Sequence, residues 1–218
     1  MPLTRHQRVS AGASQLLLPW VDELLAEAQL ELATLDALAV GVGPGAFTGV
    51  RLGVAAAQGL AISQNLPVIP VASLDAIAAM LTQSEAFMHT KPEHFMVAID
   101  ARMDEVYWAH YQHSPTGLPK RLGDINLSAP EVIPFDRIQF VAGSAIVEFG
   151  DRLFTQAQSS FSVECLDAEI GVNALGVLIC AQSLWKAGLQ QNVRILEPLY
   201  VRNKVAFTSN ERKQAGIS

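Results

Sequence analysis

The chain has 218 residues, half of them hydrophobic, with 15 basic and 21 acidic side chains and a formal net charge of −6. That length is ample for one large core or two small ones, and the acidic balance excludes a surface that holds nucleic acid unaided, which is normally basic. Two cysteines, Cys165 and Cys180, both in apolar surroundings, exclude a disulfide framework and a metal-ligand spacing, and fit a reducing compartment.

There is no signal-peptide apolar core, and no apolar run is long enough to cross a bilayer, so the expected location is the cytoplasm, with no membrane contact. Residues 1–12 are polar and weakly patterned. Residues 14–29 read as a helix, because Leu17, Val21, Leu24, Leu25 and Ala28 recur at helical spacing. Leu16 and Trp20 make a second apolar patch, so burial on two sides is expected. Pro19 is placed in or near the first turn, where it is tolerated. Residues 34–36 connect to the next element.

The chain is organised around residues 37–64. An apolar run, 37–42, reads as a buried strand. Gly41, Gly43, Pro44 and Gly45 break it into a tight, shaped loop. Thr48 is the expected N-cap of a helix from about Gly49 to Gln64. Glycine loops ahead of helices often hold phosphate. This one has no lysine for a P-loop, fits a dinucleotide fingerprint only loosely, and has no acid at residues 64–71. A structural turn is therefore the preferred reading over an anion site. In the helix, Val50, Leu52, Val54, Leu60 and Ile62 are apolar, Gly53, Ala55, Ala56, Ala57, Gly59 and Ala61 are small, and only Arg51 and Gln58 are polar before Ser63. A helix apolar all round is buried on all sides. One face should meet its own sheet and the other a second helix.

Residues 68–71 read as a short strand. Ser73 is the expected N-cap of a helix over 74–81, and 82–92 read as a polar, exposed stretch. Strand, helix, strand, helix implies a partly parallel α/β sheet. A boundary is expected near 99–102, dividing the chain into units 1–100 and 101–218. Residues 94–100 and 105–111 read as two strands joined by a turn at 101–104. Asp100, Asp104 and Glu105 invite a metal or acid–base reading, but turns favour aspartate on their own account. His110 and His113 fall on opposite strand faces and read as surface residues. No local motif announces a nucleophile or a metal pair.

Residues 114–134 read as loop with one short strand. Strands are expected at 137–141 and 162–166, with a helix opened by Gly143-Ser144 and running to about 153. Asn173 should cap a helix to Lys186, with Leu175, Leu178, Ile179, Gln182 and Trp185 on its buried side, ended by Gly188. Residues 197–202 read as extended and 203–218 as a mobile polar tail.

Four stretches carry a resemblance. Gly43-Pro-Gly-Ala-Phe-Thr-Gly-Val-Arg-Leu-Gly53 resembles the signature of the TsaB family, also called YeaZ. Asp100-Ala-Arg-Met-Asp-Glu-Val-Tyr107 resembles its second signature, Pro198-Leu-Tyr-Val-Arg202 its C-terminal one, and Ser14-Gln-Leu-Leu-Leu-Pro19 the start of its first helix. The resemblance implies an actin-like (ASKHA) α/β fold of two subdomains. It also implies a non-catalytic dimerisation and scaffold subunit of the bacterial machinery that makes threonylcarbamoyladenosine in tRNA. Such a subunit pairs with its paralogue TsaD, receives the ATPase TsaE, and meets tRNA only through the complex. Without TsaD a homodimer is expected. No cofactor, metal or catalytic residue is expected in this chain. Because the helices 14–29 and 49–64 each carry more apolar surface than one sheet can cover, the expected partner face is a helical bundle built on Leu16, Trp20, Arg51, Val54 and Ala57. The signature loop is Gly43, Pro44, Gly45, Thr48 and Gly49.

The chain departs from the family at its start. Relatives open with a strand, an Asp-Thr-Ser-like turn and a second strand; here that hairpin is missing, and residues 5–10 read at most as the tail of a third strand. A start codon assigned too late is the simplest account, a shortened chain the next. The missing turn is the family fold's phosphate loop, which takes support from any nucleotide site. Ala13 also stands where relatives usually have histidine. Two other readings are an ATP-dependent small-molecule kinase of the same fold, which needs that loop, and a peptidase, for which no motif is visible.

Overall fold

The computed structural model describes residues 2–7 and 12–202. Helix α1 spans Ala13–Ala28. Strand β1 (Leu38–Gly43), helix α2 (Phe47–Gln64) and strand β2 (Val68–Ala72) form a parallel βαβ unit. Strand alternation explains its two faces. Val40, Val42 and Val68 point to one side, where α2 covers them with Val54, Ala57 and Ala61. Ile69 and Val71 point to the other, where helix α6 (Ala174–Lys186) covers them with Val177, Cys180 and Ala181. Among the described residues β1 pairs with no strand but β2.

Helix α3 (Ser73–Leu81) follows β2 without a loop and lies between the two sheets, against α6, β1, β2, β3 and β4. Seven of its nine residues are buried, so α3 is the helix enclosed on every side. Helix α4 (Glu85–Thr90) leads into a five-stranded sheet of order β5-β4-β3-β6-β7. Its strands are β3 (His94–Asp100), β4 (Val106–Gln112), β5 (Lys120–Ser128), β6 (Phe140–Ala142) and β7 (Leu166–Asp167). β3, β4 and β5 run antiparallel in turn, while β6 lies parallel to β3 and β7 parallel to β6. Phe95 and Val97 face α3 and α4 in one core, and Met96 and Ala98 face helix α5 (Ala145–Phe149) in another.

The structure moves several expected features. β3 ends at Asp100 yet centres the second sheet, so the sheets divide between Ala72 and His94 rather than at residue 100. The stretch 82–92 is not simply exposed: Ser84 caps α4 by accepting from the Phe87 N–H, and Phe87 is buried against Phe95. The loop 114–134 carries β5, nine residues long, because β4 offers it an antiparallel edge. The strands expected at 137–141 and 162–166 shrink to β6 and β7, the latter after a 3-10 turn at Val163–Cys165. Pro19 lies in the second turn of α1, inside the helix.

Helix α6 runs as expected and Asn173 caps it, accepting from the Gly176 N–H at 2.9 Å. Its buried face is rotated. Gly176, Val177, Cys180 and Ala181 face inward, while Leu178, Gln182 and Trp185 are exposed. The physical reason is close approach. A Cβ on Gly176 would stand 2.4 Å from the Ala76 carbonyl oxygen of α3, so small side chains, not the largest ones, select the contact. Of the expected strand tail at 5–10, residues 5–7 are irregular and 8–10 lie outside the described residues, as does the tail at 203–218.

Candidate functional site

Three of the four family-like stretches, far apart in sequence, converge on one pocket of about 690 Å³, and the stretch at Ser14–Pro19 does not line it. The loop and first turn of α2 form one wall and the turn after β3 another. Ser144, Val147 and Glu148 at α5 form a third, and residues 198–202 the fourth. Gly43 has φ +99 and sits against the Val50 side chain and the Leu199 carbonyl, a backbone that glycine adopts readily. Pro44 is buried, whereas Gly45, Thr48 and Gly49 are exposed. Thr48 is not the N-cap. Ala46 holds that position, with no side-chain cap, because the helix begins at Phe47. Ser73 is likewise the first residue of α3, behind Ala72.

Arg51 is one of three arginines that line the pocket, with Arg102 and Arg202. Its guanidinium carbon lies 3.3 Å from the Phe47 ring centroid and 5.4 Å from that of Tyr200. Its Nε and Nη2 both donate to Tyr200 Oη, at 3.1 and 2.9 Å. Among the described residues no carboxylate pairs with it. This strap is fixed further along as well: the Leu199 N–H donates to the Val42 carbonyl at 2.8 Å, and Gln58 Nε2 to the Leu196 carbonyl.

The turn 101–104 is strained, with Arg102, Met103 and Asp104 all at φ near +60. Its three acids are clips. Asp100 accepts from the Arg102 N–H and pairs with its guanidinium, Asp104 takes a bidentate pair from Arg152 at 2.8 and 2.9 Å, and Glu105 pairs with Arg202. The Arg152 hydrogen bonds hold the Asp104 carboxyl below its ordinary range. Arg202 also donates to the carbonyls of Ala101 and Arg102, while its Nε is buried without a partner among the described residues. Neither histidine singled out from the sequence meets the other: His110 bonds the Pro134 carbonyl, and His113 packs edge-on to Phe87.

The helix residues divide. Leu16 and Trp20 are half-buried, and Arg51 is exposed. Val54 and Ala57 are at 3 and 8% exposure and belong to the chain's own core under α2, so they do not form an outward face. The exposed row of α2 is instead Arg51, Ala55, Gly59 and Ile62, one turn apart. Sequence reasoning missed it because a helix apolar all round gives no phase; the small pair Ala55 and Gly59, four apart in line with Arg51, was the only signal. Helix α1 lies against α2, yet none of its sixteen residues is buried.

Two α/β units, a βαβ half and a five-stranded half, with a glycine-led pocket between them, define a protein of the actin-like class. The comparisons agree on the fold. A family model described as TsaD, tRNA N6-adenosine threonylcarbamoyltransferase, matches residues 7–162. An Escherichia coli protein, tRNA threonylcarbamoyladenosine biosynthesis protein TsaB, is 34% identical over 196 residues, covering 89% of this chain and 82% of the relative. The Haemophilus influenzae protein of the same name is 50% identical over 93 residues, 43% of this chain and 37% of the relative. The crystal structure of a Pseudomonas aeruginosa protein described as similar to peptidase YeaZ has a TM-score of 0.72 at 34% identity, covering 86% of this chain and 83% of that one. A second, YeaZ from Pseudomonas aeruginosa, has a TM-score of 0.70 at 34% identity, covering 85 and 84%. The chain belongs to the TsaB (YeaZ) family.

Proposed function

We propose that this chain acts in tRNA threonylcarbamoyladenosine biosynthesis as a non-catalytic dimerisation subunit. It pairs with a TsaD-type catalytic subunit through α1 and the outer row of α2, supports docking of a TsaE-type ATPase, and meets tRNA only within that assembly, in the cytoplasm. Without the partner, the same face forms a homodimer. The observation that carries the reading is α1. Leu16, Leu17, Trp20, Val21, Leu24 and Leu25 are all only half-covered, Leu18 is exposed, and beside them α2 presents Ala55, Gly59 and Ile62. An apolar helix pair of this extent is normally covered, and small residues let a second helix pair approach closely.

The test uses Ala55→Glu, which places a charge on the outer row without touching the core. Gel filtration with a TsaD-type subunit should show loss of both the heteromer and the homodimer, with the circular dichroism of the chain unchanged. Survival of both assemblies would exclude this face.

A further inference from the structure

The pocket at the signature loop is a second feature, apart from α1. Around it stand large apolar side chains left open to solvent: Phe47 at 52%, Tyr200 at 53% and Val147 at 71% exposure. Exposed aromatic and aliphatic groups around a concavity are the pattern of a protein-docking site, and arginine and tyrosine are over-represented among the residues that dominate such contacts.

The charges in the pocket are not equivalent. Asp100 pairs with Arg102 and Glu105 with Arg202, so both of these guanidinium groups already hold a carboxylate, although the Arg202 Nε is left without a partner among the described residues. Arg51 has only a phenol and two rings, so a guanidinium able to take a bidentate carboxylate is held in place and left without one among the described residues. No lysine lines the pocket, and the acids Asp100 and Glu148 do, which opposes a polyphosphate more than a single carboxylate.

We propose that this pocket docks an acidic segment of a protein partner, a carboxylate on Arg51 and an adjoining apolar side chain between Phe47, Val147 and Tyr200. This goes beyond the helix-pair reading, since Val147 and Tyr200 lie off α1 and off the outer row of α2.

The probe is acetyl-Leu-Phe-Glu-amide, with acetyl-Leu-Phe-Gln-amide as its neutral counterpart, added to the isotope-labelled full chain. The readouts are the NMR signals of the Val147 methyls and the Arg51 side-chain N–H. The glutamate peptide should shift both saturably and bind at least about tenfold tighter than the glutamine peptide, the size of one charge-assisted contact. Arg51→Gln should erase the difference, and Val147→Glu should abolish binding of both, with the remaining amide spectrum unchanged. No shift at these signals, equal binding of the two peptides, or stronger shifts from ATP or inorganic phosphate would overturn the proposal. The two readings fail separately: Val147→Glu should leave assembly with a TsaD-type subunit intact, and Gly59→Glu, on the outer row but two turns from Arg51, should lose assembly and leave peptide binding intact.

Discussion

Arg51 and Tyr200 stand 149 positions apart and meet at 2.9 Å, Nη2 to Oη, fastening the C-terminal strap onto the first turns of α2. The next residue back on the strap, Leu199, donates its N–H to the end of β1. Tyr200→Ala should therefore speed hydrogen exchange at the Leu199 amide, while Tyr200→Phe, which keeps the ring, should cost under about 1 kcal/mol in urea denaturation. Unchanged protection at Leu199 in the alanine variant would show that the strap is held without Arg51.

Position 57 separates core from surface on one helix. Ala57 is enclosed with Val40, Val54 and Val68, so Ala57→Glu buries an unpaired charge and should cost at least about 3 kcal/mol of fold stability. Ala55→Glu, two residues away and exposed, should cost under about 0.5 kcal/mol. Equal melting temperatures for the two variants would refute this assignment of helix phase.

The two helical glycines tested next should move stability in opposite directions. Gly176→Ala drives a Cβ to 2.4 Å from the Ala76 carbonyl and should cost about 1–3 kcal/mol. Gly59→Ala meets nothing within 4 Å and should gain about 0.5–1 kcal/mol from helix propensity. Chemical denaturation of both variants checks the sign.

Acid should weaken the fold through His110. Burial depresses its pKa below the ordinary 6.5, opposed in part by its hydrogen bond to the Pro134 carbonyl. The unfolded chain therefore takes up the proton first. Stability from this group falls as pH drops through about 6.5 and levels off below the folded value. Replacing His110 with Gln should flatten that part of a melting-temperature profile between pH 7.5 and 5; an identical slope in the variant would assign the effect elsewhere.

Burial, and then the nearby charge of Asp75, push the Cys180 thiol up to about 12. In a Cys165→Ser variant the remaining thiol should react with a thiol reagent at pH 8 only as fast as the chain opens, and promptly in denaturant. Fast reaction in the native state would mean that the inner face of α6 is not closed against β2 and α3.

The sequence by itself determined what local chemistry controls. Alternation and turn residues placed β3 and β4 within a residue, the apolar run placed β1 within a residue although Gly41 and Gly43, expected to break it, lie inside the strand, and Asn173 and Gly188 set the ends of α6. Motif residues also marked the stretches that line the pocket. Only the tertiary structure decided which way the helices face. On α2, apolar and small residues surround the axis, so periodicity carries no phase, and the sheet partner turned Val54 and Ala57 inward and left Ala55 and Gly59 out. On α6 the phase followed Gly176, because a backbone can approach α3 closely only where no Cβ intervenes. The length of β5, expected only as one short strand in a loop, was missed for a related reason: its mixed, largely exposed residues form a nine-residue strand because β4 supplies an edge of unpaired N–H and C=O groups. The pocket itself rests on contacts across 149 residues of chain, and no spacing within a single motif specifies such a meeting.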